Sequence, residues 1–212
     1  MSIKDKKILI TAGPTWVALD RARVISNLAT GETGFILADK FKKQGAQVTL
    51  LLGPGNFCGS LPGIRLMRFN FFSELAQLLE QELKSRKYAA VIHAAAVADY
   101  QPKTIIQGKI SSLRKNWKIN LVPTKKLIKN LKAYRKDLTA VGFKFEPDAN
   151  KAKLIVRAKE LLKTADLDLV VANSNKNFGY QAYILSGVNQ YGPFLNKTKM
   201  ANHLFGLMEK QL

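Results

Sequence analysis

Residues Ile8–Gly34 read ILITAGPTWVALDRARVISNLATGETG, and the fold of the whole chain turns on them. The stretch opens on an apolar run, Ile8-Leu9-Ile10, that stops at Thr11-Ala12-Gly13-Pro14-Thr15. A buried parallel strand ending in a tight Gly/Pro turn has this form. A second small-residue cluster, Ser26-Asn27-Leu28-Ala29-Thr30-Gly31, precedes a helical pattern from Glu32 to Gln44. Small polar residues before a helix leave its first N–H groups free for an anion. Gly13, Thr15, Ala29, Thr30 and Gly31 are therefore expected in two phosphate- or carboxylate-sized loops, with Asp20, Arg21 and Arg23 between them. Read only as turns, the same residues would simply connect core elements.

The glycines Gly13, Gly31 and Gly34 do not fit the G-x-G-x-x-G spacing of dinucleotide folds. The second strand, Val48–Leu52, ends in Gly53-Pro54-Gly55, where a nicotinamide-binding fold places an acid for the ribose. The expectation is an α/β fold, a Rossmann-like three-layer sandwich that uses its loops differently. Further strands are predicted at Ile64–Phe69, Ala89–His93, Trp117–Val122, Leu138–Phe143 and Leu167–Ala172. The intervening helices are one capped by Ser73, one opening at Pro123 and running to Tyr134, and one over Ala149–Ala165. This alternation gives a mostly parallel sheet covered on both faces. Ala182–Leu185 and Tyr191–Leu195 read as a C-terminal hairpin, followed by a closing helix over Lys197–Leu212. Residues 1–212 show no linker or repeat and are expected to form a single domain.

Composition narrows the classes. The 212 residues are 47% hydrophobic, with no apolar run long enough to span a membrane and no signal-peptide core near the N-terminus. A single cysteine, Cys58, excludes an internal disulfide, fits a cytoplasmic setting and reads as an incidental thiol. With only His93 and His203 besides, no protein-built metal site is expected. The net charge is +19, and residues 101–163 carry 17 Lys or Arg against four acids. Such a field suits a polyanion. Without a nucleic-acid motif, a nucleotide or phosphorylated metabolite is the better partner.

The fourth strand runs into Ala94-Ala95-Ala96-Val97-Ala98-Asp99-Tyr100. Small residues at the C-terminal end of a strand let a ligand approach the backbone, and that edge is where open α/β sheets bind ligands. Gln101–Asn116 lacks periodicity, and a stretch of that length is usually a functional lid or disordered.

Together these pieces resemble the phosphopantothenoylcysteine synthetases, the ligase half of the bifunctional coenzyme A biosynthesis flavoprotein of bacteria. The resemblance rests on Ile10–Thr15, Asp20, Arg23, Ile25-Ser26-Asn27, Gly31 and Gly34, then on Ala95–Tyr100, which matches the family's AAVADY unchanged. Val141-Gly142-Phe143 with Glu146, and Asp168-Leu169 with Ala172-Asn173, complete it. It implies condensation of 4′-phosphopantothenate with L-cysteine, driven by CTP through an acyl-cytidylate, with Mg2+ on the triphosphate. It further implies a homodimer, with the lid and its neighbouring strand near the interface, and a phosphopantothenoylcysteine decarboxylase as a separate partner.

Carried over by position, Arg23, Asn27 and the Ala95 backbone would hold the phosphopantothenoyl part. Asn27 and Lys109 would act in catalysis, Lys109 as the first lysine of the lid. His93, Ala94, Ala95, Asp99, Lys125, Lys126, Leu127, Ile128 and Phe143 would surround the nucleotide, with Lys159 and Lys163 one helical turn apart. The departures are Ser111-Ser112 in place of two lid lysines, Thr124–Leu127 in place of N-P-D-I, Glu32 where a lysine is frequent, and His93 where a glycine is common. They bear on nucleotide preference and on the lid. They also keep a non-catalytic nucleotide- or nucleic-acid-binding Rossmann-like protein as the alternative.

Overall fold

The computed structural model describes residues 3–55, 59, 61–175 and 179–212, so Cys58 lies outside the described residues. Its centre is strand β1 (Lys7–Ala12), paired in parallel with β4 (Gln47–Leu52) on one side and β6 (Ala90–His93) on the other. Beyond β4 lies β5 (Arg65–Arg68), and beyond β6 come β9 (Thr139–Phe145) and β10 (Leu169–Ser174), all parallel. The antiparallel hairpin β11 (Gln181–Ser186) and β12 (Asn189–Phe194) closes the eight-stranded sheet. The chain leaves β1 for β4 in one direction and later resumes at β6 in the other. The sheet order therefore reverses beside β1, which is where such sheets open a crevice.

Helices α1 (Glu32–Lys43) and α4 (Lys197–Gln211) cover one face, burying Leu37, Phe41, Leu204 and Phe205 against Ile8, Ile10 and Ile184. On the other face lie α2 (Phe72–Ser85), a 3₁₀ helix (Leu127–Ala133) and α3 (Lys151–Thr164). Each fully buried Leu, Met or Phe contributes ~1.5–3 kcal/mol, so packing rather than intrinsic propensity holds these helices. The contact of α1 with β1 is so close that a Cβ on Gly34 would lie 2.2 Å from the Ala12 Cβ. Glycine is the residue that admits this approach, which seats the N-terminus of α1 against the end of β1.

A charged residue on the apolar stripe of α2 also finds its reason here. Glu82 is buried, accepts from Arg65 Nη1 of the edge strand at 2.5 Å, and is bonded by the Tyr88 hydroxyl, which also meets Thr49 at 3.0 Å. Burial pushes the Tyr88 hydroxyl up to about 12, so it remains protonated. The network fastens β5 to α2.

Three expectations need correction. Ser73 lies inside the first turn of α2 rather than at its cap; Glu74 reaches back to the backbone N–H groups of Asn70 and Phe71 at 2.6 and 3.1 Å. Pro123 does not open a helix. It ends the short strand β8 (Leu121–Pro123), because Thr124 is tied to Ala98 and Asp99 by its hydroxyl and its N–H, and the helical turn starts only at Leu127. The strand expected over Trp117–Val122 is thus confined to the end of that stretch, paired antiparallel with β7 (Tyr100–Pro102). A second small ribbon, β2 (Trp16–Ala18) with β3 (Val24–Ser26), stands beside it. Among the described residues no helix is long and apolar enough to cross a membrane.

Candidate active site

Two loops continue the pairing of β1 and β6 past the edge of the sheet. Ala94 donates to Thr11 O, Ala96 to Gly13 O, and Thr15 to Ala96 O at 3.0, 2.9 and 3.2 Å. Side chains add to the lacing: Ala95 N–H donates to Thr11 Oγ1 at 3.2 Å and Ala98 N–H to Thr15 Oγ1 at 2.9 Å. His93 Nδ1 lies 2.9 Å from the same Thr11 hydroxyl, and complete burial depresses its pKa to about 4, leaving a neutral imidazole. Asn27 is fastened to this rim as well. Its Nδ2 donates to Ala96 O at 3.0 Å and Val97 O at 3.3 Å, so its carbonyl oxygen is the atom left for a ligand.

Beside the rim opens a cleft of about 1050 Å³. Gly13, Asn27, Ala29, Thr30, Gly31, His93, Ala94, Ala95, Asp99, Lys125, Lys126, Leu127, Ile128 and Phe143 all line it, so the structure brings these expected residues together. Gly31 adopts φ +83 at the start of α1, a backbone that favours glycine, and the Thr30 hydroxyl accepts from Glu32 N–H. Asp99 is exposed and ion-paired with Lys126 at 2.5 Å. Lysines 125, 126, 129, 144 and 197 face two carboxylates, Asp99 and Glu32, so the lining carries a net +3.

Other expected residues stand elsewhere. Thr15 is fully buried, and its hydroxyl is used in the lacing. Lys159 and Lys163 are exposed on α3 outside the lining, with Leu161 between them inside it. Arg23 and Lys109 also lie outside the cleft lining. Arg23 bonds Asp20 at 2.8 Å and Ile110 O at 3.2 Å, and its guanidinium lies 5.4 Å from the Trp117 ring centre. Asp20 is the hub of this arm: its carboxylate accepts from the N–H groups of Ala22, Arg23 and Ile110 at 2.8, 2.8 and 3.1 Å. Burial works to raise its pKa, but these backbone bonds and Arg23 outweigh it and hold the carboxyl below its ordinary value. The expected lid segment is therefore irregular, as anticipated, yet docked on the β2–β3 ribbon, with Lys109 exposed on it.

Sequence reasoning missed the far wall. Glu32, Lys144, Asn173, Ser174, Tyr180 and Lys197 all line the cleft. Asn173-Ser174 at the carboxyl end of β10 carried a usable signal, since that edge binds ligands. Among the described residues no group of three His, Cys, Asp or Glu can hold a metal, and both cleft carboxylates already face lysines. A protein-built magnesium cage does not fit.

The coenzyme A biosynthesis bifunctional protein CoaBC of Thermococcus kodakarensis is 33% identical over 217 residues, covering all of this chain and 53% of that protein. The chain thus spans about half the length of that relative. The DNA/pantothenate metabolism flavoprotein from Streptococcus pneumoniae shares the fold with a TM-score of 0.87 at 23% identity, covering 98% of this chain and 100% of that one. A Cab2 mutant solved in complex with phosphopantothenate-cysteine gives 0.81 at 18% identity, covering 98% of this chain and 88% of that one. The model of the DNA/pantothenate metabolism flavoprotein C-terminal domain matches residues 3–211, and the chain belongs to that family.

Proposed function

We propose that the chain is a phosphopantothenate–cysteine ligase that spends CTP. The observation that carries this reading is the cleft itself. The segments that bear the family pattern, Asn27, Ala94–Asp99 and Phe143, converge on one crevice at the strand-order reversal, beside Lys125, Lys126 and Lys129. The relative's role in coenzyme A biosynthesis and the ligand of the Cab2 structure support the same chemistry.

Nucleotidyl transfer needs positioning and positive charge more than covalent help from the protein. The lysine-rich wall receives the triphosphate, and Asp99 accepts from the ribose or base. The substrate carboxylate attacks the α-phosphate and pyrophosphate leaves. The cysteine amine then displaces CMP from the acyl-cytidylate. Magnesium enters as part of the nucleotide substrate, and no protein group is assigned to it. Asn27, fixed by two backbone carbonyls, orients the acyl group with its remaining oxygen. Lys109 covers the intermediate from the arm.

The 212 residues act as one domain and, in this reading, as a homodimer. Val24, Tyr100, Leu113 and Leu121 are exposed around the two ribbons, an apolar surface suited to a second copy. A phosphopantothenoylcysteine decarboxylase consumes the product. The test is release of pyrophosphate from phosphopantothenate and cysteine with CTP or ATP, with the product identified by mass. Turnover well above background with CTP is expected. ATP turnover equal to or above that with CTP removes the cytidine assignment, and no product with either removes the ligase reading.

A further inference from the structure

We propose that the α1–α4 end of the cleft is the subsite of the amino-acid co-substrate, with Lys197 and Tyr180 taking its α-carboxylate and Glu32 its α-ammonium group. This inference rests on the ligase reading and deepens it.

Lys197 is the first residue of α4, where a cation opposes the positive end of the helix dipole. That first turn holds no acidic residue to offset it. The position is therefore not chosen by the helix. Its ammonium instead meets the carboxylate of Glu32, the first residue of α1, across 165 positions of sequence, and both groups line the cleft. A pairing of this kind breaks a local preference at a ligand site, where such violations are expected.

Tyr180 lines the same end. Its hydroxyl oxygen is buried and has no hydrogen-bond partner among the described residues, although Glu32 is near enough for its charge to be felt. Burial raises the phenol pKa, so the group stays an O–H and can donate. A buried hydroxyl without a partner is destabilising, and a bound acceptor removes that cost.

Charge decides which ligand suits this end. On the opposite wall Lys125, Lys126 and Lys129 stand against the single carboxylate Asp99, a balance fit for a polyanion. At the α1–α4 end Lys197 and Glu32 touch, and Lys144 on the same wall is paired with Glu146 at 2.9 Å, so the charges of that end cancel. Phosphate there would face Glu32. A zwitterion presents one charge of each sign and meets both partners favourably.

The test combines kinetics of the full chain with ligand-observed NMR using L-cysteine alone. Lys197→Met is expected to raise the KM for cysteine about tenfold or more, leaving the KM for nucleotide and phosphopantothenate within about twofold. Lys197→Arg should recover most of the loss. Tyr180→Phe, which deletes a hydroxyl that bonds no described residue, should raise the cysteine KM severalfold with an unchanged or higher melting temperature. NMR contact of L-cysteine with the protein should weaken in parallel. A rise in the nucleotide KM instead marks a phosphate subsite and overturns the proposal. Unchanged constants in all variants mean that the pair merely pins α4 to α1, and overturn it equally. If the wild type makes no product yet its contact with L-cysteine depends on Lys197, the ligase reading falls and the amino-acid subsite stands.

Discussion

The rim of the sheet and the arm beside it both carry the family pattern, but they use it differently. On the rim, Ala94–Ala96 are laced to the end of β1 and its turn by backbone bonds, Asn27 is fastened to Ala96 and Val97 by its side-chain amide, and their free atoms line the cleft. On the arm, Arg23 and Ile110 turn toward Asp20, and Lys109 stands on the segment so held. A pattern residue on the rim lies directly in the cleft wall. The same kind of residue on the arm shows what holds the arm in place, outside the cleft lining.

The largest effect should follow from breaking the rim. Asn27→Asp sets a carboxylate against the carbonyls of Ala96 and Val97, so both hydrogen bonds are lost and the acyl group is misplaced. Turnover should fall about 100-fold or more, roughly 3 kcal/mol in the barrier. The melting temperature should also drop. An unchanged melting temperature would mean that the rim does not depend on this residue.

Next comes the hub of the arm. Asp20→Ala removes the acceptor of the Ala22, Arg23 and Ile110 amides. Hydrogen exchange at Ile110 should accelerate while Leu9, in β1, keeps its protection, and turnover should fall by less than with Asn27→Asp. Loss of protection at both positions would erase the distinction between the two regions.

Acid sharpens it. His93 on the rim resists protonation until about pH 4, whereas the unfolded imidazole accepts a proton near pH 6.5. Below pH 6.5 the unfolded chain therefore binds more protons, and stability falls as pH drops toward 4. At pH 5 the loss is about 2 kcal/mol. Denaturant unfolding of wild type and His93→Gln between pH 7.5 and 5 should show that slope in the wild type alone. Asp20 has a lowered pKa, so its contribution is full above the ordinary carboxylate range and is lost only at stronger acidity; it leaves this window untouched.

The smallest effect belongs to Lys109→Gln, which removes an exposed charge and no contact of the rim. About a tenfold drop in turnover, with more CMP released per product, is expected from quenched single turnovers with labelled CTP. Coupling as tight as in the wild type would remove Lys109 from the reaction.

The sheet was legible because its central strands are apolar runs that read as buried whichever partners cover them. Ile8–Ile10 and Ala90–His93 announce themselves, and the rule that ligands gather at strand ends placed the cleft beside Ala94–Asp99. The ribbons were not legible. Three residues such as Trp16–Ala18 make no periodic pattern, and they pair because Asp20 turns the chain between them. The expected helix at Pro123 failed for a similar reason, since Thr124 is held by residues 98 and 99, far away in sequence. Lys197 and Tyr180 carry no local signal at all. Only the packing of α4 against α1 brings the lysine to Glu32.

The central place of β1 has a consequence for how the chain is made. Among the strands of this sheet β1 is made first, and it cannot be flanked on both sides until residue 93 has emerged. At ~5–20 residues per second that interval lasts on the order of 5–15 s. Until then Ile8 and Ile10 have β4 and α1 as their nearest shelter and an open edge on the β6 side. The Gly34 contact, which lets α1 sit directly on Ala12, is thus also what shields the nascent half-sheet until its missing neighbour is synthesised.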